Sequence, residues 1–436
     1  MIKIFWDVYY KLLQILPSKI WFCMEYLHIE LISLIVYYRV KFKKFPPSID
    51  KIKKNKINIL WFGNHPYTTK ILKNWLKIFN DKINLIYFWD VFDMYKNISI
   101  NDRINFKLIP WWNYGCYKKL WEYHRKHNKD FFDNINYWAL DFNLPIQYFD
   151  KNIKKIIYLN HRFSLTWYYN RFKINDWKNV LNDLKDENSI LVAADNFDYE
   201  FHRYFLWNEK KILKIPPLVD AINDKYEWNI DEFLIVPGKD WIYKDREIII
   251  DKCINNIVSN WLNVSSITRK YRNKRYEFKE IAQYKALIVI PYTIYTWAIV
   301  DFLEMWMPMF FPSVKFLAKM HKEYNLLYDY DFFSSYRYKK FKKSFLNKII
   351  NLASLKNEAP NPFDYENLEY LKYRISKASR YAEWPIITYD SFDDLSNKLK
   401  NTDMIGYSWR LLEFNNQMKK ESEKSRHSLI HDELHF

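Results

Sequence analysis

The residues best placed to do chemistry lie in YKALIVIPYTIYTWAIVDFLEMWMPMFFPS, residues 284–313, whose spacing predicts strand, loop, helix and strand. Leu287 to Ile290 is an apolar run with β-branched members, and Pro291, which lacks a backbone donor, ends the ladder. Over 296–306, Ile299, Phe302, Leu303 and Trp306 recur at three- and four-residue intervals, the stripe of a helix packed on a sheet. Met309 to Phe311 then reads as a short strand. In the loop before the helix, Tyr292, Thr293 and Thr296 bring hydroxyls and backbone N–H groups to a helix N-terminus, the usual receptor for phosphate. Asp301, one turn on, is suited to accept from a sugar hydroxyl. An ordinary strand–helix–strand unit with an exposed aspartate accounts for the same pattern.

Other reactive groups follow predicted strands. Gly63, Asn64 and His65 come after Asn58 to Phe62; Asn160, His161 and Arg162 after Ile156 to Leu159; Asp195, Asn196 and Asp198 after Ser189 to Ala194. A histidine there fits a general base, because its pKa lies near neutral pH. A polar residue in the same place equally caps the next helix or satisfies a turn.

These positions imply the elements that hold them. From Lys56 onward strands alternate with helices, with further strands expected at Asn84 to Trp89, Phe106 to Ile109 and Ile135 to Leu140. Such alternation predicts a mostly parallel, doubly wound sheet, in which ligands bind beyond the carboxyl ends of the strands. IPPLVDAINDKYEWNIDEFLIVPGKDW, residues 215–241, reads as a crossing into a second sheet that opens at Phe233 to Val236 and runs into Pro237, Gly238 and Lys239. Helices are expected at 245–259, 278–284, 364–381 and 391–400, and short strands near Leu262 to Val264 and at Ile386 to Tyr389, with Asp390 and Ser391 capping the helix that follows. The final segment, 410–430, reads as a polar helix that frays.

The segment around Asp301 resembles the retaining GT-B glycosyltransferases, which carry an acidic residue seven positions before a proline and a glycine two before that proline. Asp301 and Pro308 keep the spacing; the acid is the shorter Asp, and the glycine position is Trp306. The order of domains is similar, and GNHPYT, VAADNFDYEFHRYF, IPYTIYT and FFPS resemble an uncharacterised group of eukaryotic and viral glycosyltransferase-like proteins over residues 57–415. The resemblance implies that Asp301 holds the ribose of a nucleotide-sugar donor. Lys239, Tyr292, Thr293 and Thr296 would hold its phosphates, with Arg269, Lys270 and Arg272 as further cations. His65, His161 and Asp195 are the candidate catalytic groups, and Gly63, Asn64 and Arg162 face the acceptor.

The implied architecture is α/β with two Rossmann-like, GT-B-like domains and helical extensions at both ends: amphipathic helices over 1–50, an acceptor-type domain over 51–225, a nucleotide-sugar-type domain over 226–350 and a helical segment over 351–436. The implied activity is sugar transfer from a nucleotide sugar to an unknown acceptor, without a cofactor or bound metal. The alternative is a non-catalytic binding or scaffold protein on an eroded GT-B fold with a basic, anion-binding surface.

Composition bounds these readings. A net charge of +17 favours anionic partners, phosphate-bearing substrates and membranes among them, but no nucleic-acid motif accompanies it. Lys, Asn, Ile, Tyr and Phe are abundant and Gly numbers only 4, the usage an AT-rich coding sequence gives; the 19 Trp do not fit that account. Cys23, Cys116 and Cys253 are too few and too dispersed for a disulfide framework or zinc site. In the first 45 residues Asp7, Lys11, Lys19, Glu25 and Glu30 interrupt every stretch approaching the length of a transmembrane helix, and no signal peptide is visible. The helix over 19–41, ending in RVKFKKF, suits either an anionic membrane surface or packing on the first domain, so the expected location is cytoplasmic or peripheral to a membrane.

Overall fold

The computed structural model describes residues 52–62, 82–87, 125–126, 129–140, 152–159, 174–206, 209–216, 222–236, 244–271, 276–294, 297–324, 326–327, 347–348, 350–355, 358–362, 364 and 367–433. The expected strand at 106–109 and the N-terminal helices lie outside them.

The first sheet contains β1 (Ile57–Phe62), β2 (Ile83–Tyr87), β3 (Tyr137–Leu140), β4 (Lys155–Tyr158), β5 (Ser189–Ala193) and β6 (Ile212–Lys214), in the order β2-β1-β3-β4-β5-β6. The second contains β7 (Ile230–Val236), β8 (Val264–Ser266), β9 (Tyr284–Val289), β10 (Met309–Pro312) and β11 (Ile387–Tyr389), in the order β11-β10-β9-β7-β8. Every pair in both sheets is parallel. The protein is therefore α/β with two parallel sheets, a form compatible with two Rossmann-like domains. Strand β6, Lys-flanked and only three residues long, escapes a periodicity reading. Strand β11 puts part of the 351–436 segment into the second sheet as its edge.

Parallel sheets need cover on both faces, and the second sheet shows how the sequence meets that need. Leu234, Val236, Leu287, Val289, Met309 and Phe311 enter one core, which continues into Ile59, Trp61, Ala139, Ile156 and Val192 of the first sheet. Their alternates Phe233, Ile235, Ala286, Ile288 and Phe310 enter another, closed by helices α4 (Lys244–Ser259), α6 (Val314–Tyr324), α7 (Leu368–Ser376) and α9 (Phe392–Asn401). The remaining helices used below are α1 (Lys129–Asp133), α2 (Ile174–Lys185), α3 (Asn196–Leu206), α5 (Trp297–Glu304), α8 (Ser379–Ala382) and α10 (Met404–Ser428). The expected cap of α9 is present: Ser391 Oγ accepts from the Asp394 N–H at 3.0 Å.

Two expectations are corrected. The helix expected over 364–381 is two helices, broken where Ala378 turns extended (ψ 135°). The C-terminal segment does not fray: α10 is one 25-residue helix that buries Met404, Tyr407, Leu411 and Met418. Its stripe begins before residue 410 and includes small and polar members, Ser408, Asn415 and Ser422, so it does not read as apolar. It touches both sheets' surroundings, since Ser408 Oγ donates to the Trp306 carbonyl at 2.8 Å and Ser422 Oγ to the Pro216 carbonyl at 3.0 Å.

Trp306 ends α5 in a left-handed turn with φ 62°. Its N–H donates to the Leu303 carbonyl at 3.0 Å, and the Met307 N–H to the Phe302 carbonyl at 3.1 Å, the paired bonds of a Schellman cap. The backbone thus keeps the conformation that a glycine at this position would allow freely.

Candidate functional site

Strand order defines where ligands collect. It reverses between β1 and β3 in the first sheet and between β7 and β9 in the second, and such switch points leave a crevice at the carboxyl ends of the strands. Gly63, Asn64 and His65 follow β1, Lys239 follows β7, and Tyr292 and Thr293 follow β9. The β7 and β9 ends are tied together, the Ile290 N–H donating to the Val236 carbonyl at 2.8 Å.

Tyr292 and Thr293 are half-buried in the turn after β9, and Asp301 sits in α5 with 8% exposure. Asp301 and Tyr292 also face the Tyr276 phenol, whose pKa is raised first by burial and then by these two groups. Tyr276, unmarked by any sequence signal, therefore joins the group around Asp301. Asp301 is therefore buried, unlike the exposed aspartate of an ordinary strand–helix–strand unit.

Asp195 is 2% exposed at the end of β5. One carboxylate oxygen accepts from the Phe197 N–H at 2.7 Å, capping α3, and the other from the Ser379 N–H at 3.2 Å, at the first residue of α8. Ser379 Oγ accepts in turn from the Asn196 N–H at 2.9 Å, and Asn196 Nδ2 donates to the Lys377 carbonyl at 3.0 Å. Burial lifts the Asp195 carboxyl to about 6, against the Phe197 and Ser379 N–H groups and the Arg380 charge, which favour the ionised form. Asp195, expected from sequence as a catalytic group, has the position of a double helix cap, each oxygen engaged by main chain. Asp198 lies within the first turn of α3, where a carboxylate complements the helix dipole.

Arg380 completes the bridge. It is 2% exposed, donates from Nη2 to the Thr293 carbonyl at 3.2 Å, and lies 5.7 Å from the Phe311 ring centre and 5.2 Å from that of Tyr381. The chain Asp195–Ser379–Arg380–Thr293 thereby joins the carboxyl end of β5 to that of β9. No local pattern points to Ser379 or Arg380, because both lie far in sequence from every strand end they serve.

Arg269 and Lys270 of the basic stretch both form ion pairs. Arg269 pairs with Asp251 at 2.6 Å, and Lys270 pairs with Glu232 at 2.8 Å while lying over the ring of Tyr284, the first residue of β9. Lys270 thus serves the amino end of the sheet, away from Thr293. Gly63, Asn64, His65, His161, Arg162, Lys239, Arg272 and Thr296 lie outside the described residues. Among the described residues, no three His, Cys, Asp or Glu gather as a metal site, and no helix is long and apolar enough to cross a membrane.

The architecture defines the class, an α/β protein with two parallel sheets, the carboxyl ends of β5 and β9 linked through Ser379 and the buried Arg380. Comparisons with family models, curated proteins and solved structures found no match to this chain.

Proposed function

We propose that the protein transfers a sugar from a nucleotide-sugar donor, bound at the carboxyl ends of β7 and β9, to an acceptor held against the first sheet. The observation that carries this reading is the Arg380 bridge, which sets the carboxyl ends of β5 and β9 toward each other across two sheets. In this reading Lys239 and the Thr293 and Thr296 hydroxyls hold the diphosphate at the start of α5, where helix N–H groups face the anion. Asp301 accepts from the ribose hydroxyls, with Tyr292 and Tyr276 beside it. Gly63, Asn64 and Arg162 meet the acceptor, and His65 or His161 accepts its proton. The donor's leaving group departs as the nucleoside diphosphate.

A ligand that binds only the folded state raises its stability by mass action, so a thermal-shift panel of nucleoside diphosphates and nucleotide sugars tests the reading directly. One base or sugar is expected to raise the midpoint. Asp301→Asn keeps the shape and removes the charge, so that ligand's affinity is expected to fall tenfold or more, from charge-assisted bonds worth about 1.5–3 kcal/mol, with the ligand-free midpoint nearly unchanged. No shift from any nucleotide would instead favour a non-catalytic scaffold. An Asp301→Asn variant that loses stability but keeps its affinity would remove Asp301 from the donor site.

A further inference from the structure

Two turns in this protein are built for a residue other than the one written there. Among the described residues, Trp261 (φ 63°) and Trp306 (φ 62°) are the non-glycine residues with left-handed backbone, and both are tryptophan. Both occupy the same place, the residue just past a helix in a Schellman cap. After α4 the Trp261 N–H donates to the Val258 carbonyl at 2.9 Å and the Leu262 N–H to the Ile257 carbonyl at 3.2 Å, the pattern also found after α5. That place takes glycine most readily, because any Cβ in a left-handed residue crowds the following carbonyl.

Neither indole is fully accommodated, although Trp306 packs in part against the core. Trp261 is 94% exposed, so its ring buries almost nothing in exchange for the strain. Trp306 is half-buried beneath Lys225, 5.0 Å from its ring centre, and its buried Nε1–H has no hydrogen-bond partner among the described residues. The composition carries the same mark. A chain of 436 residues at ordinary usage holds about 30 glycines. This one has 4 glycines beside 19 tryptophans, so each tryptophan read as glycine moves the count toward that level.

We propose that positions 261 and 306 are glycine in the protein as its own cell makes it, the tryptophan written there being a UGA codon which that cell decodes as glycine. UGA stops translation in the standard code, and variant codes read it either as tryptophan or as glycine. The AT-rich usage that the rest of the composition displays depletes GG-starting glycine codons and favours UGA, so one cause accounts for scarce glycine and surplus tryptophan together. Tryptophans written UGG remain tryptophan. The proposal does not rest on the nucleotide-sugar reading, although glycine at 306 also supplies the residue whose absence is the chain's plainest departure from the GT-B pattern.

Peptide mass mapping of the protein from its source cells, with the codons at these positions read from the gene, tests it. Peptides spanning 261 and 306 are expected to carry the glycine mass, with UGA at both codons. A tryptophan mass, or UGG, at either position overturns the proposal. Independently, Trp261→Gly in the full recombinant chain is expected to raise the thermal midpoint by about 1–3 °C, since strain is relieved and no packing is lost. A fall in that midpoint would contradict the geometry on which the proposal stands.

Discussion

Arg380→Met is expected to cost about 3–5 kcal/mol at pH 8 and clearly less at pH 5. Removing a buried cation whose field favours a nearby buried carboxylate leaves that carboxylate with only its main-chain donors, and an under-compensated buried charge is costly. Here the survivor is Asp195, 2% exposed and close enough to Arg380 to have its carboxyl pKa lowered by that charge. Its pKa is nevertheless raised from 3.8 to about 6 in the folded protein. The folded state therefore binds the proton more tightly than the unfolded chain, and the stability this group contributes is full below about pH 4 and lost as pH rises through 6. That loss amounts to about 3 kcal/mol, from roughly two pKa units at 1.36 kcal/mol each. Without the guanidinium the carboxyl pKa moves higher still, so the loss continues above pH 6 and the gap between variant and parent widens toward pH 8. Urea unfolding of both proteins at pH 5 and pH 8 measures that gap. An equal gap at both values would mean that Arg380 contributes only its Thr293 hydrogen bond and its contact with Phe311 and Tyr381.

Asp195 also marks where sequence reading reaches its limit. That a polar residue follows β5 was legible, because the apolar run Ser189 to Ala194 ends there. That its second oxygen caps α8 was not, since the partner lies 184 residues away and neither end carries a local signature. The same distance explains the division of the 364–381 helix: Ala378 breaks it so that the Ser379 N–H can turn to Asp195, and periodicity counts only neighbours. Alternation of strands and helices was plain because each buried strand is a short apolar block, as in Phe233 to Val236; the strand expected near Leu262 to Val264 is instead Val264–Ser266, where Ser265 and Ser266 break the apolar pattern. Strand order, which places the switch points, is a property of long-range pairing and had to come from the structure. The resemblance marked 306 as a position where glycine is usual, but the left-handed turn there came from the structure, because a tryptophan count does not say where the backbone bends.

The bridge has a second anchor, and the test of it is expected to have the other large effect. Ser379 and Arg380 sit a few residues before β11, the edge strand of the second sheet, and β11 is held by Tyr407 of α10. Tyr407 is fully buried, its hydroxyl donates to the Met309 carbonyl at 2.8 Å and accepts from the Ile387 N–H at 3.1 Å, and its ring meets Phe310 edge-on. Tyr407→Phe keeps the ring and leaves those backbone groups without their partner, at a cost of about 1–3 kcal/mol. Tyr407→Ala also empties the space the ring fills, for a total near 5 kcal/mol, leaving the three-residue edge strand to its pairing with β10 and the packing of Tyr389. Loosening β11 should release α8, so hydrogen exchange is expected to quicken at the Asn196 and Ser379 amides in Tyr407→Ala as well as at Ile387. If Ile387 exchanges faster while Asn196 and Ser379 keep their protection, Asp195 and Arg380 hold the two sheets together without help from α10, and the C-terminal helix serves the edge strand alone.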